Sequence, residues 1–401
     1  MLPLEAAYMH RKDEKLERYS RQIRFAPIGA TGQQKLGEAN ILIVGSGALG
    51  ASLAQQMARA GVCSIRLVDR DYVEWSNLQR QMLFDEEDAR CAWPKAVAAA
   101  AKLRRINSSV RMEALVADIN KHNVESLLIG IDLVLDGTDN LETRLLLSDA
   151  CYMHGIPLLY GGVAGSDGMS AMLIPGENCC LRCLLGEEQH DLEGAAPTCD
   201  TIGVIAPAVE LVSALQAAEA LKWLTGNREV LRRTWVVADI WDFSLKEWAL
   251  PPVQEDCPIC GWGELESSGD ESDRLDLGGK DTTSLITLEP TDPIQAKNEE
   301  SAAVSLCGRD TIQVNLNRHF CLTERVAWLE ARGCEITANN VYLLRAVIPS
   351  GERLVLFSDG RVLIQGAEET DRALDICRLY LLQALDESEE GRAFIVDKAG
   401  F

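Results

Sequence analysis

The sequence predicts an α/β protein: a mostly parallel sheet with helices on both faces, followed by a small C-terminal α+β module. Three observations carry this expectation. Residues 1–262 alternate short apolar runs with helix-like stretches, the pattern of strands joined by crossover helices. Residues 263–300 hold 11 acidic and 3 basic side chains, a net of −8 in 38 residues, among many Ser, Gly, Thr and Asp. Such a segment buries little and repels itself, so it reads as a linker or mobile loop. Beyond it, residues 301–401 carry a second, smaller pattern.

The chain has 401 residues, 47% of them apolar, enough for two or three domains with real cores. With 39 Lys+Arg against 61 Asp+Glu, its formal charge is −22. That excess argues against nucleic acid or an anionic membrane as the main partner, since both require local positive charge. No apolar run reaches the roughly 18 residues of a spanning helix. The N-terminal MLPLEAAYMHRKDEKLERYS is charged and lacks an apolar signal core. A soluble, cytoplasmic protein is expected.

The elements follow in order. Asn40–Val44 is a short apolar strand, then Gly45-Ser-Gly47-Ala-Leu-Gly50 leads into a helix ending near Ala60. Ser64–Val68 is the next strand and ends in Asp69. A helix runs from Lys95 to Arg105, and residues 111–116, 132–135 and 157–161 read as further strands. In the C-terminal part, strands are expected at 302–306, 310–316, 341–349, 352–358 and 361–366. Helices near 321–332 and 370–386 flank them, and Asp359-Gly360 suits a tight hairpin.

Gly45-x-Gly47-x-x-Gly50 follows a strand and opens a helix, the context a Rossmann-like nucleotide fingerprint needs. Glycines let backbone amides approach phosphates, and the helix N-terminus favours their charge. Glycine also serves tight packing, so the loop alone is weak. Asp69, 19 residues past Gly50 at the next strand end, is placed to hold ribose hydroxyls. These features fit an NAD-dependent oxidoreductase equally well. The next residues separate the two: Asp71, Asn77, Arg80 and Gln81 follow directly, and Lys95 opens a helix. Two cations suit a reaction at a nucleotide phosphate, where charge builds on phosphoryl oxygens. Asp136-Gly-Thr-Asp139-Asn140 adds acid at a strand's carboxyl end, where parallel sheets bind ligands and a carboxylate suits Mg²⁺.

Thirteen cysteines are present. Cys63, Cys151, Cys321 and Cys377 sit singly in apolar or helical surroundings and read as reduced buried thiols. Cys180-Leu-Arg-Cys183 and Cys257-Pro-Ile-Cys260, separated by 73 residues, suit one tetrahedral Zn²⁺ staple. The five histidines fall in unrelated contexts.

Taken in order, GSGALG, DRDYVEWSNLQRQ, Lys95, DGTDN and the two CxxC pairs resemble the ThiF/MoeB/HesA family of ubiquitin-activating-type adenylyltransferases, over roughly residues 16–262. The resemblance implies an enzyme that uses MgATP to adenylate the C-terminal Gly-Gly carboxylate of a β-grasp sulfur-carrier protein. It implies thiamin- or molybdopterin-type sulfur transfer, with a sulfur donor such as a cysteine desulfurase. By motif, Gly45, Gly47 and Gly50 would cradle ATP and Asp69 would hold its ribose. Asn77, Arg80, Gln81 and Lys95 would position phosphates, with Asp71 beside them, and Asp139 would hold Mg²⁺. Arg18-Tyr-Ser-Arg21 resembles the segment whose arginine enters a partner's site, which makes Arg21 the candidate acting in trans and implies a homodimer. The stretch from Arg80 to Lys95 is longer than in the shorter members. Family spacing selects Cys180 over Cys179 as the zinc ligand. Cys199 stands where some relatives carry a cysteine that accepts activated carrier or sulfur; a passive small residue is the alternative. Cys307-Gly-Arg309 resembles a motif of longer relatives, with no chemistry attached. A non-catalytic, zinc-stapled carrier-binding dimer would have lost the ATP-site residues, and all are present.

Overall fold

The computed structural model describes residues 17–186, 202–261 and 303–382, the last apart from 307–310, 317 and 368. These form two compact units, one of residues up to Gly261 together with Ala338–Leu343, the other of the remaining C-terminal residues. The acidic stretch 263–300, Cys199 and Cys307-Gly-Arg309 lie outside the described residues.

The first unit begins with helices α1 (Ser20–Arg24) and α2 (Gly29–Leu36), then β1 (Asn40–Val44), α3 (Ala48–Ala60) and β2 (Ser64–Asp69). Next come α4 (Glu86–Arg90), α5 (Lys95–Ile106), β3 (Arg111–Val116), α6 (Val124–Leu128), β4 (Leu133–Asp136) and α7 (Leu141–Met153). The unit closes with β5 (Leu158–Ala164), β6 (Asp167–Leu173), α8 (Leu181–Leu185), α9 (Ala206–Thr225), β7 (Thr234–Asp239) and β8 (Ser244–Ala249). The sheet order is β3-β2-β1-β4-β5-β6-β7-β8. Pairing is parallel from β3 through β5 and antiparallel from β5 through β8. The antiparallel tail was not expected from sequence, where only the strand near residues 157–161 was foreseen.

The run Asn40–Val44 is apolar without alternation because both of its faces are covered. Ile41 and Ile43 join one core with Ile65, Leu67 and Leu135, against Met57 of α3, Leu103 of α5 and Ala220 of α9. Leu42 and Val44 join the other with Val68 and Val134, against Leu128 of α6, Leu147 of α7 and Leu181 of α8. Each such fully buried aliphatic side chain stabilises the fold by about 1.5–3 kcal/mol relative to exposure. The carboxyl ends of β1, β2 and β4 therefore come from a stiff support, and the loops that leave them carry the polar residues.

The second sheet has the order β11-β12-β13-β14-β10-β9. Its strands are β9 (Ala303–Leu306), β10 (Thr311–Asn315), β11 (Glu335–Asn339), β12 (Leu343–Val347), β13 (Arg353–Phe357) and β14 (Arg361–Gln365). Helices α10 (Leu322–Ala331) and α11 (Thr370–Cys377) contribute Leu329 and Ile376 to its core. Asp359-Gly360 turns the antiparallel pair β13–β14, with Gly360 at φ +93°. Strand β11 was not anticipated; its half-buried and exposed residues give no apolar run.

Two of the four single cysteines expected to be buried, Cys151 and Cys377, are. Burial pushes the Cys377 thiol up to about 12. Cys63 is half-buried. Cys321 is exposed, because it caps the start of α10 rather than lying within the helix.

Candidate nucleotide and metal sites

The loop after β1 is shaped by contact with the loop after β4. A Cβ on Gly45 would lie 2.6 Å from Gly137 O, and one on Gly50 only 1.7 Å from Gly45 O. Gly45 also has φ +82°. Gly45 and Gly50 are therefore required by backbone packing within the protein. Gly47 differs: a Cβ there would meet only the Gln81 amide, at 3.6 Å. Of the three glycines, Gly47 is the one whose missing side chain leaves room beside the helix N-terminus.

Asp69 ties this loop to the next. Its Oδ2 accepts from Ser46 N at 2.6 Å and its Oδ1 from Asp71 N at 2.7 Å. Each oxygen keeps a second lone pair for another donor. Burial pushes the Asp69 carboxyl above its usual range, against the pull of Lys95. Lys95 is buried and donates Nζ to Asp71 Oδ2 at 3.0 Å, while its backbone N donates to Asp71 O at 2.8 Å. A bridge between Tyr72 and Pro94 extends this pairing. The long stretch before Lys95 thus folds back as α4 and returns the lysine to the residues following Asp69.

Asn77 and Gln81 are buried in the same region. Asn77 Oδ1 accepts from Glu74 N at 3.0 Å, and Asn77 Nδ2 and Gln81 Oε1 have no hydrogen-bond partner among the described residues. Unmatched buried polar atoms are uncommon in folded proteins, and their occurrence on the segment whose Gln81 amide faces Gly47 suits a polar ligand there. Arg80 is half-buried, with Nη1 donating to Ser76 O at 3.0 Å.

The two acids of Asp136-Gly-Thr-Asp139 have different surroundings. Asp136 is buried at the end of β4; its Oδ1 accepts from Thr138 N and Oγ1, and its Oδ2 lies 3.3 Å from Arg144 Nε. Burial raises its pKa, with Arg144 opposing. Asp139 is exposed on the following turn, and Asn140 caps α7 by accepting from Thr143 N at 2.8 Å. Asp136 is thus a structural acid, and Asp139 is available to a cation. Arg70 bonds Asp118 at 3.1 Å. Burial works against its charge, but Asp71, Asp118 and Asp139 outweigh that and raise its pKa.

Arg21 is exposed on α1, away from the strand-end loops in sequence. That helix is anchored to its own chain: Gln22 Nε2 donates to Ala60 O at 3.0 Å, and Tyr19 OH accepts from Asn107 Nδ2 at 2.8 Å.

Cys180, Cys183, Cys257 and Cys260 converge, their sulfurs all within 4.8 Å of one another. The Cys180–Cys257 and Cys183–Cys260 sulfurs are 3.8 Å apart, the edge of a tetrahedron with metal–sulfur bonds of about 2.3 Å, as zinc makes. Cys179 is buried outside this set, its backbone N bonded to Pro251 O. The donor set and spacing fit zinc.

Residues 19–259 match the ThiF family. The chain belongs to the ThiF family. Among curated relatives of this ThiF-family chain, the sulfur carrier protein ThiS adenylyltransferase of Bacillus subtilis (strain 168) is 39% identical over 368 residues, covering 91% of this chain and 99% of that protein. The SAMP-activating enzyme E1 of Haloferax volcanii is 38% identical over 255 residues, covering 64% of this chain and 92% of that protein. Among solved structures, Escherichia coli MccB with ATP aligns at TM-score 0.52 and 22% identity, covering 61% of this chain and 73% of that one; at that identity it supports the fold alone. No helix among the described residues is long and apolar enough to cross a membrane.

Sequence reasoning did not single out Arg144 or Gln216, both of which brace the acid-bearing turn. No local motif marks them: Gln216 meets backbone carbonyls of other elements, and Arg144 reaches the Asp136 carboxylate and the carbonyls of Thr138 and Gly161 only through the fold.

Proposed function

We propose that this ThiF-family chain uses MgATP to adenylate the C-terminal Gly-Gly carboxylate of a β-grasp, ubiquitin-like sulfur-carrier protein. The observation that carries the reading is the nearly end-to-end similarity to the ThiS adenylyltransferase. The gathering of Gly47, Asp69, Asn77, Arg80, Gln81 and Asp139 on loops at one end of the parallel strands supports it. A carrier carboxylate oxygen attacks the α-phosphorus, the bond from that phosphorus to the bridging oxygen breaks, and pyrophosphate leaves with the electron pair. Arg80, and Lys95 if released by Asp71, would stabilise charge on the phosphoryl oxygens. Asp69 would hold the ribose, and Asp139 would hold Mg²⁺, which screens the phosphate charge. Zinc on the four cysteines would be structural. Membership of an adenylyltransferase family removes the oxidoreductase reading.

The finer assignments belong to the same proposal. The carrier is of ThiS or MoaD type, a homodimer places Arg21 in the partner's site, and a cysteine desulfurase supplies sulfur. Cys199 accepts activated carrier or sulfur. ATP–pyrophosphate exchange measured with a panel of purified carriers tests the reading. Exchange should appear only with a carrier ending in Gly-Gly and vanish when its last glycine is removed; exchange with none of them would refute it.

A further inference from the structure

The backbone ladder between β4 and β5 stops early. Val134 pairs with Leu158 and Leu135 with Leu159; beyond them, side chains join the two strand ends. Gln216, midway along α9, donates Nε2 to Asp136 O and to Leu159 O, both at 3.1 Å. Arg144, in the first turn of α7, donates Nη2 to Thr138 O at 2.6 Å and to Gly161 O at 3.1 Å. Both residues span the gap, one from each helix.

Gln216 is fully buried. Its amide can face only one way, since turning it over would set Oε1 against two carbonyl oxygens. As it stands, Oε1 has no hydrogen-bond partner among the described residues. It lies beside Gly161, where an added Cβ would come within 2.5 Å of it. A residue present only to fill this space would be apolar, because an unmatched buried amide oxygen is destabilising. The turn that Gln216 holds continues through Gly137, packed on Gly45 and Gly50, to the exposed Asp139.

We propose that Gln216 is a positioning residue: by pinning the carbonyls of Asp136 and Leu159, it sets where the turn presents Asp139 relative to the glycine loop. This rests on the adenylation reading above and names a residue that acts through the backbone.

Two variants disturb the same amide from opposite sides. Gln216→Met keeps the volume and removes both donated bonds, whereas Gly161→Ala pushes a methyl against Oε1. In carrier-dependent exchange, both should need at least about threefold more Mg²⁺ for half-maximal rate. Both should lose about tenfold or more in kcat, with the KM for carrier within about twofold. Independently of activity, amide hydrogen exchange at Gly137 and Thr138 should quicken in both, with β14 unchanged. If Gln216→Met does not fold, Gly161→Ala carries the test. Wild-type Mg²⁺ dependence and wild-type exchange at Gly137 and Thr138 in a folded variant would overturn the proposal. Absence of carrier-dependent exchange in the wild-type protein would instead refute adenylation, and the hydrogen-exchange comparison would still decide the role of Gln216.

Discussion

Arg80, in the segment after β2, and Asp136, at the end of β4, show how differently two charged residues near the carboxyl ends of parallel strands can be used. Arg80 is half-buried and, among the described residues, bonds locally to Ser76 O, so it can turn toward a ligand at little cost. If it stabilises transition-state charge, Arg80→Ala should lower the exchange rate by about 10²–10³ while ATP affinity falls much less. A parallel titration of ATP binding checks the second half, and equal losses in both would assign Arg80 to ground-state binding. Asp136 is buried, and its folded pKa is raised by that burial. The folded state therefore keeps this proton to higher pH than the unfolded chain does. The site's contribution to stability is fully present below the unfolded value and declines as pH rises through the folded one. Relative to Asp136→Asn, the wild-type protein should gain stability as pH falls from about 7 to about 4.5. Urea midpoints of both proteins at the two pH values decide it, and an unchanged difference would mean that Arg144 compensates Asp136 fully.

At the scale of elements, the four-cysteine cluster joins the start of α8 to the segment that follows β8. Those two pieces are far apart in sequence, and one shared metal would hold the antiparallel tail of the sheet to the crossover region. In the absence of metal, burial pushes the Cys180 thiol up to about 12, so a bound cation must displace protons to form the site. Cys257→Ser should lose its zinc and its thermal stability together, because metal binding and folding are coupled. Elemental analysis showing a full zinc complement in that variant would remove Cys257 from the ligand set. The glycine loop obeys a different logic: Gly45 and Gly50 are fixed by the neighbouring loop after β4, and Gly47 faces open room. Gly50→Ala should therefore unfold or distort the unit, whereas Gly47→Ala should fold and chiefly weaken ATP binding, as calorimetry of folding and of ATP binding would distinguish.

At the scale of the whole molecule, the proposal that Arg21 acts across a dimer can be tested without a structure of the complex. Arg21→Ala and Asp139→Ala protomers should each be inactive alone. Mixed at equal amounts, with subunit exchange confirmed, they should recover about a quarter of wild-type activity, since half the dimers are mixed and each holds one intact site. No recovery would place Arg21 outside the partner's site. The helix bearing Arg21 is tied to its own chain through Gln22 and Tyr19, so the arginine would be presented by a fixed support.

The residues themselves determined most of the adenylating half. The unbroken apolar run Asn40–Val44 marked a strand covered on both faces, and the glycine loop with Asp69 marked where its helix begins and where the next strand ends. These signals are legible because each is local: a strand's burial is written in its own side chains, and a tight loop in its own glycines. The two CxxC pairs also announced themselves, since short thiolate spacing has few other uses. Other features required the tertiary structure. Strand β8 is exposed along its whole length, so no apolar pattern betrayed it or the antiparallel turn of the sheet. Which acid of Asp136-Gly-Thr-Asp139 is buried depends on Arg144, and which glycines merely pack depends on Gly137, eighty or more residues away. Gln216 is one of a row of polar residues set three apart along its helix, Glu210, Ser213, Gln216, Glu219, Lys222 and Thr225, and nothing in the row singles it out. Its partners are backbone carbonyls, which every sequence has at every position; only folding decides which of them a buried amide will meet.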